Sequence, residues 1–105
     1  MSDRTPVVNL RDKPEPPYVR IDRQTKYGNV FRMAKEADRE QVIERYRAHL
    51  IGSIIAGDIT MQEISELAGQ RLACWCTPKP CHGDVLAEFA DRLFAHETDF
   101  LERNT

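Results

Sequence analysis

Apolar residues recur along the chain with two different spacings, and these spacings divide it into strands and helices. Short apolar runs in residues 6–10, 18–22 and 71–76 predict three β-strands. The third run is apolar almost throughout, which is typical of a buried central strand. Residues 11–17 hold three prolines in four positions, so they predict an extended surface connection between the first two strands.

Helical spacing of apolar residues predicts three helices. Capping-box patterns over residues 38–41 and 60–63 begin the first two, and Gly57 and Gly69 end them. We expect the third helix to begin at about residues 83–84, where the carboxylate of Asp84 would interact favourably with the helix dipole. The apolar faces comprise Val42, Ile43, Tyr46, Leu50, Ile54, Ile55, Met61, Ile64, Leu67, Ala68, Val85, Leu86, Phe89, Ala90, Leu93 and Phe94.

The element order β-β-α-α-β-α predicts a small α/β domain with a short sheet of about three strands, packed by helices. Two helices separate the second and third strands, so a crossover connection would make these strands parallel. We expect residues 1–105 to form one domain, with residues 1–5 and 98–105 at its periphery. Ligands of open α/β sheets bind beyond the carboxyl ends of strands, which directs attention to the loops after the second and third strands.

The composition of the chain is that of a globular protein, with 41% apolar and 30% charged residues. It has no apolar run near the ~18 residues of a membrane helix, and its start lacks the apolar stretch of a signal peptide. We therefore expect a cytoplasmic protein with no membrane partner. Its three cysteines, an odd number, then predict free thiols or metal ligands instead of a disulfide framework.

The net charge of −2 argues against a general nucleic-acid coat, but the charges are unevenly distributed. Residues 1–36 carry eight Lys or Arg against five Asp or Glu. An ordinary solvated face would give the same balance. The functional interpretation is a local anion site formed by a polar loop and its flanks, with the ligand-binding residues Arg20, Arg23, Lys26, Gly28 and Asn29. In that loop, Gly28 permits a positive φ and Asn29 tolerates one.

Residues 74–84 hold all three cysteines and the only tryptophan, a combination that favours a chemical role. In a metal site, Cys74, Cys76, Cys81 and His82 would supply three sulfurs and one imidazole, which is a known zinc set. The spacing counts against this interpretation, since four ligands within nine residues, two of them adjacent, would strain a tetrahedral arrangement.

A ligand or catalytic pocket is the second interpretation of this run. Cys81 would be a thiol whose pKa is lowered by the helix start, and His82 an acid, base or hydrogen-bonding group. Asp84 would orient the imidazole or accept a sugar hydroxyl, and Gly83 would let a ligand approach the backbone. The third interpretation is structural: buried cysteines behave as small hydrophobes, and Trp75 would be a core residue on the opposite strand face.

The run Cys-Trp-Cys-x-Pro-x-Pro-Cys-His-Gly-Asp-Val-Leu, residues 74–86, resembles the signature of a small domain of unknown function common in bacteriophages and bacteria. Residues 22–31 resemble the second motif of that family, although Val30 stands where the family usually has proline. Residues 38–47 fit its middle helix, so the resemblance covers about residues 18–95. The resemblance confers no activity, but it implies that the two motifs belong to one site.

The sequence therefore predicts a phage-type cytoplasmic domain with a pocket for a nucleotide-like or other phosphate-bearing ligand, or for a nucleic-acid end. In an enzymatic version, Cys81, His82 and Asp84 carry the chemistry. The alternative is a zinc-stabilised, non-enzymatic module that binds a host protein. The third interpretation is a structural domain with core thiols. Neither the reaction nor the oligomeric state follows from these patterns.

Overall fold

The chain folds into a three-stranded parallel sheet packed by three α-helices, and the α/β class predicted from the sequence is confirmed. The computed structural model describes residues 4–31, 33–76 and 79–97. Residues 98–105, predicted to be peripheral, lie outside the described residues, as do residues 1–3. Within the described part of the chain, none of the helices is long and apolar enough to cross a membrane.

The sheet has the order β1-β3-β2, so the last strand in sequence lies in the middle. Its strands are β1 (Val7–Asn9), β2 (Val19–Arg20) and β3 (Leu72–Cys74). Both outer strands pair with β3 in parallel, with Leu72 opposite both Val7 and Val19. All three residues of β3 are buried, so the prediction of a buried central strand is confirmed. All three carboxyl ends consequently meet at one edge of the sheet.

The helices are α1 (Arg39–Ala56), α2 (Met61–Ser65) and α3 (His82–Phe94). Two 3₁₀ turns, Leu10–Asp12 and Glu36–Asp38, follow β1 and precede α1. The helix end at Gly57 is confirmed, because this glycine caps α1 in the left-handed conformation, with φ of 85°. The helix end predicted at Gly69 is wrong, because α2 already ends at Ser65 with Glu66 as its C-cap, and Gly69, with φ of 81°, closes the turn that follows. The capping box of α2 is also confirmed: Thr60 Oγ1 accepts from the N–H of Glu63, whose carboxylate accepts from the N–H of Thr60.

Four further details of the helices differ from prediction. Asp38 makes no side-chain capping bond, because it closes the preceding 3₁₀ turn and already has helical dihedral angles. The third helix begins at His82, slightly earlier than predicted, since the side chain of Cys81 caps it. Ile55 and Phe94 are each 69% exposed, because they lie at helix ends beyond the packed faces.

One hydrophobic core lies between the sheet and the helices. The side chains of Tyr46, Phe89, Ile21, Leu50 and Ile64 are its largest fully buried members. Helix α3 contacts both other helices as well as β1 and β3, so its position depends on the whole core. Fully burying an aliphatic or aromatic side chain contributes about 1.5–3 kcal/mol, so the buried residues of α3 hold this helix firmly against the core.

A buried threonine ties the start of β1 to the rest of the fold. Thr5 is 4% exposed, although the sequence predicts a peripheral segment there. Its N–H donates to Asp91 Oδ2 at 3.0 Å, its hydroxyl donates to Asp91 Oδ1, and it accepts from the N–H of Gly69 at 2.9 Å. These bonds satisfy polar groups of three elements at once, which is why the residue is buried.

Candidate functional site

A cleft of about 500 Å³ opens at the carboxyl ends of the strands, and we call it the strand-end cleft. It lies among the loop after β2, the first turns of α1, the end of β3 and the start of α3. Open α/β sheets bind ligands in this position. The lining residues are Asp22, Arg23, Gln24, Asn29, Phe31, Met33, Arg39, Val42, Ile43, Cys74, Trp75, Cys76, Pro80, Cys81 and His82.

The loop after β2 is folded back on itself by backbone bonds. The carbonyl of Asp22 accepts from the N–H and the hydroxyl of Thr25, at 2.9 and 3.0 Å, and the N–H of Gly28 donates to the carbonyl of Thr25. A Cβ on Gly28 would lie 2.5 Å from the carbonyl oxygen of Asp22 and 2.6 Å from Cα of Arg23. Gly28 is therefore required by close backbone approach, and the positive φ considered from the sequence is not observed.

Side chains fasten this loop to α1. The hydroxyl of Tyr46 donates to the carbonyl of Tyr27 at 2.7 Å, and burial raises the pKa of Tyr46, so it remains a donor. Asn29 Oδ1 accepts from the N–H of Phe31 at 2.9 Å, while Arg23 Nη2 donates to the carbonyl of Phe31 at 3.2 Å. The bond from Tyr46 holds the loop against the helix, while the other two lie within the loop and fix its shape as one wall of the cleft.

At the start of α3, polar groups of residues 74–84 bond to one another. The N–H of Cys81 donates to Asp84 Oδ2 at 3.0 Å, and Cys81 Sγ accepts from the N–H of Gly83 at 3.3 Å. The Sγ atoms of Cys81 and Cys74 are 3.4 Å apart. The neighbouring thiol of Cys74, followed by burial, raises the pKa of Cys81 strongly. The lowered pKa predicted from the helix start is thus wrong, because these two causes outweigh the bond from Gly83.

His82 is buried, and its imidazole is engaged with the loop after β2. Its Nε2 lies 2.6 Å from the carbonyl oxygen of Ile21, so Nε2 is the donor of this bond. Its ring meets the edge of Tyr46, with centroids 5.1 Å apart. Asp84 does not orient this imidazole, because its carboxylate caps Cys81 instead. His82 therefore joins α3 to the end of β2.

The carboxylate of Asp22 occupies the cleft side of the same loop. Residue Asp22 is 7% exposed, and its Oδ2 accepts from Trp75 Nε1 at 3.2 Å and from Arg20. The bond from Arg20 is the main cause that lowers the pKa of Asp22. Burial acts in the opposite direction, and the bond from Trp75 lowers the pKa further. Trp75 is 51% exposed as a residue, and it lines the cleft. The prediction of a core tryptophan is wrong, because β3 ends at Cys74 and Trp75 lies in the bend that follows.

A small ion network closes the rim between α1 and the loop before α3. Arg39 donates to the carbonyl of Pro80 at 2.8 Å and pairs with Glu36, to which Lys79 Nζ also comes within 3.4 Å. Arg39 lowers the pKa of Glu36 to about 2 and has its own pKa raised in return. Glu36 is exposed, so we assign this network a positional role and little stability.

The structure brings only some of the predicted site residues to the cleft. Those that line it are Arg23, Asn29, Cys74, Cys76, Cys81 and His82. Those that do not are Arg20, Lys26, Gly28, Gly83 and Asp84. Lys26 pairs with Glu63 on α2, and a Cβ on Gly83 would lie 2.9 Å from Cδ1 of Ile21, so that glycine serves helix-to-sheet packing. The roles assigned to these residues from the sequence stay predictions.

The proposed zinc ligands are Cys74, Cys76, Cys81 and His82. They all line the cleft, but they are not arranged around a common point. Among the described residues, no group of three or more His, Cys, Asp or Glu side chains could hold a metal ion. The arrangement most like a metal site is the thiol pair of Cys74 and Cys81, whereas Nε2 of His82 is directed to a backbone carbonyl.

Sequence reasoning missed Asp22, Trp75 and Arg39 as lining residues. Asp22 offered a signal, since a carboxylate directly after a strand on the loop side of a sheet is well placed to meet a ligand. Arg39 offered none, because its place over Pro80 depends on tertiary packing between α1 and the loop before α3.

Residues 8–92 match the family described as Domain of unknown function (DUF4326). The chain belongs to this family. The two motifs singled out in the sequence, residues 22–31 and 74–86, both lie within the DUF4326 match, and both contribute lining residues to the strand-end cleft. The family assignment therefore agrees with the resemblance noted from those motifs.

This DUF4326 domain is similar to an uncharacterized 12.4 kDa protein encoded in the nrdA-td intergenic region of Enterobacteria phage T4. The two are 44% identical over 77 residues, which cover 72% of this chain and 69% of the phage protein. The expected relation to phage proteins is thus confirmed. No solved structure matches the chain.

Proposed function

We propose that this DUF4326 domain binds a nucleotide-like, phosphate-bearing molecule in the strand-end cleft. One observation carries the proposal. The cleft combines the half-exposed indole of Trp75 with the guanidinium of Arg23, which has no carboxylate partner among the described residues. An aromatic face and an uncompensated cation at the carboxyl ends of parallel strands suit a flat ring that carries a negative charge.

The indole of Trp75 is the surface on which a ring would stack. Stacking of a base on an aromatic side chain contributes about 1–3 kcal/mol and tolerates different bases. The cleft volume of about 500 Å³ falls within the range of small-molecule sites, roughly 300–1,000 Å³. Phe31 and Met33 add apolar lining beside the loop after β2.

Arg23 is the group that would meet the phosphate. Its Nη2 donates to the carbonyl of Phe31, which holds the side chain in place and leaves its other N–H groups for a ligand. A guanidinium can donate two parallel hydrogen bonds to phosphate oxygens. Arg39 also lines the cleft, but Glu36 neutralises its charge, so we expect Arg23 to contribute more.

Binding is the function we propose, and a reaction at Cys81, His82 and Asp84 stays a prediction from the sequence. The thiolate is the nucleophilic form of cysteine, and the raised pKa of Cys81 disfavours it. His82 donates to a backbone carbonyl, and Asp84 caps the helix. Each of these three groups thus already makes a bond within the fold.

The alternative of a zinc-stabilised module that binds a host protein has no comparable support. Among the residues the structure describes, the four predicted zinc ligands do not form a cation site. The third interpretation, core thiols, agrees with the burial of Cys74 and Cys81 and is compatible with a ligand site beside them.

Fluorescence of Trp75, the only tryptophan, provides a direct test. The protein would be titrated with the four ribonucleoside 5′-monophosphates, the matching nucleosides and inorganic phosphate. We expect saturable quenching with at least one nucleotide. Arg23→Gln should weaken nucleotide binding about tenfold, which corresponds to about 1.4 kcal/mol, and should change nucleoside binding much less.

Arg45→Gln is the matched control, because Arg45 is an exposed residue of α1 that does not line the cleft. This variant should bind like the unchanged protein. A protein whose fluorescence responds to none of these compounds, with thermal shifts equally unchanged, would contradict the proposal.

A further inference from the structure

Exposed apolar side chains border the mouth of the strand-end cleft. Six large apolar residues are exposed in the part of the chain that the structure describes, and three of them lie here. Trp75 and Met33 line the cleft. Val30, which is 64% exposed, lies in the loop between the lining residues Asn29 and Phe31. Exposed apolar patches commonly mark binding surfaces, so the surface offered to a ligand extends past the cleft itself.

The rim of the cleft carries a positive charge that the local ion pairs do not cancel. The guanidinium of Arg39 bonds to both carboxylate oxygens of Glu36, and Lys79 Nζ lies 3.4 Å from Oε1 of the same carboxylate. Arg39 and Lys79 lower the pKa of Glu36 to about 2, so Glu36 is ionised at neutral pH. Asp38 and Glu40 are near in sequence, but neither lines the cleft nor pairs with Lys79. Two cations therefore share one carboxylate.

Lys79 is the member of this network that a ligand can reach. Its side chain is 63% exposed, and Glu36 is its hydrogen-bond partner among the described residues. An ammonium has three N–H donors, so Lys79 retains donors for an anion. Lys79 directly precedes Pro80 and shares Glu36 with Arg39, and both Pro80 and Arg39 line the cleft. The positive charge of Lys79 is thus placed at the rim.

We propose that the ligand of the strand-end cleft is the end of a single nucleic-acid strand. The terminal nucleotide occupies the cleft, with its base on Trp75 and its 5′-phosphate at Arg23. The phosphodiester that joins it to the next nucleotide meets Lys79 at the rim. Aromatic side chains combined with cations along the backbone are the usual means of binding single strands. This inference rests on the proposed function and extends it from a nucleotide to the strand that carries one.

The net charge and the apolar mouth both favour the end of a strand. The net charge of −2 opposes contact along a long nucleic acid, so binding is confined to the positive groups at this edge of the sheet. A free nucleoside diphosphate would also supply a second phosphate, but it has no second base to cover the exposed apolar residues at the mouth.

Calorimetric titration with ligands that differ by one group tests the inference. The probes are the tightest-binding ribonucleoside 5′-monophosphate, its 3′,5′-bisphosphate, the corresponding 5′-diphosphate, and 5′-phosphorylated dinucleotides in ribo and deoxy forms. The 3′,5′-bisphosphate should bind about 3- to 5-fold more tightly than the monophosphate at low salt, which is the gain from one exposed ion contact. This gain should fall as salt is added. A dinucleotide should bind more tightly still, and its two forms distinguish RNA from DNA.

Lys79→Gln supplies the second arm of the experiment. The residue is exposed, so the variant should fold. In this variant, the 3′,5′-bisphosphate should lose its advantage over the monophosphate. Arg45→Gln is the matched control and should keep the advantage, because Arg45 is an exposed residue of α1 outside the cleft.

The outcomes separate this inference from the proposed function. If the monophosphate binds and neither the bisphosphate nor a dinucleotide binds more tightly, the strand is overturned and the nucleotide site stands. An equal gain for the 5′-diphosphate, or a bisphosphate gain that Lys79→Gln retains, also overturns the inference. If no nucleotide binds at all, the proposed function itself fails.

Discussion

The start of α3 and the end of β2 border the same cleft, yet they use their polar groups in opposite ways. At the start of α3, the carboxylate of Asp84 and the imidazole of His82 bond to backbone groups, and the thiol of Cys81 accepts from the helix N–H of Gly83. At the end of β2, Asp22 bonds instead to the side chains of Trp75 and Arg20, beside the cleft that Arg23 also lines. The richer motif is thus committed to the fold, while the plainer one lies beside the exposed Trp75 and Arg23 in the cleft.

The physical reason for this difference is the demand of a helix start. The first N–H groups of a helix have no partners within it, so neighbouring side chains are drawn into capping. Cys81 and Asp84 meet that demand, as any capping pair would. A strand that ends in a loop makes no such demand on its next side chain, so Asp22 can bond to the side chains of Arg20 and Trp75. The exposed Trp75 and Arg23 therefore mark the candidate site better than the presence of reactive residue types does.

Replacing Gly28 with alanine should break the end of β2 and have the largest effect on stability. The new Cβ would lie 2.5 Å from the backbone oxygen of Asp22, and backbone cannot move aside as a flexible side chain can. We expect the free energy of unfolding to fall by about 3 kcal/mol, measured by urea denaturation. Gly52→Ala is the control, since nothing lies within 4 Å of a Cβ there and alanine favours a helix. An unchanged midpoint for Gly28→Ala would show that the loop is not packed as described.

His82→Ala tests the claim that the start of α3 is structural. It removes the bond to the carbonyl of Ile21 and the ring contact with Tyr46, both of which are buried. We expect the free energy of unfolding to fall by about 2 kcal/mol in urea. His96→Asn is the matched control, because His96 is exposed and asparagine tolerates its left-handed φ of 62°. Should His82→Ala unfold like the unchanged protein, the imidazole would be free for another role.

The elements that could be predicted from the sequence are those set by local chemistry. The capping box of Thr60 and the helix end at Gly57 depend on neighbouring residues alone, and the crossover through two helices made β2 and β3 parallel. The convergence of the two motifs on one cleft followed from their places after β2 and β3, because parallel strands end at the same edge.

What could not be predicted depends on contacts distant in sequence. Strand alternation placed Trp75 in the core, but the strand ends one residue before it, and the partner that turns the indole towards the cleft is Asp22, 53 residues away. The effect of a helix start on Cys81 was correctly identified as acid-strengthening, yet the thiol of Cys74 and burial prevail. Neither contact has a signature in the local sequence.

The stability of Asp22→Asn in acid tests the contribution of the end of β2 to this comparison. Of the three substitutions, we expect this one to change the stability least. The pKa of Asp22 is lowered in the folded protein, so its contribution to stability is present at neutral pH, above the usual unfolded pKa of about 3.9. That contribution is lost as the pH falls below about 4 and through the folded pKa. We therefore expect Asp22→Asn to be less stable than the unchanged protein at pH 7, and the difference to shrink towards pH 3.

Thermal unfolding at intervals between pH 7 and pH 3 would measure this difference. It should be smaller than the two effects above, because the Arg20 side chain that pairs with Asp22 is 40% exposed and solvent screens the pair. Asp58→Asn, which removes an exposed carboxylate elsewhere, should follow the unchanged protein across the same range. A difference that stays constant with pH would mean that Asp22 supports the fold through packing alone, and not through the pairing of its ionised carboxylate with Arg20.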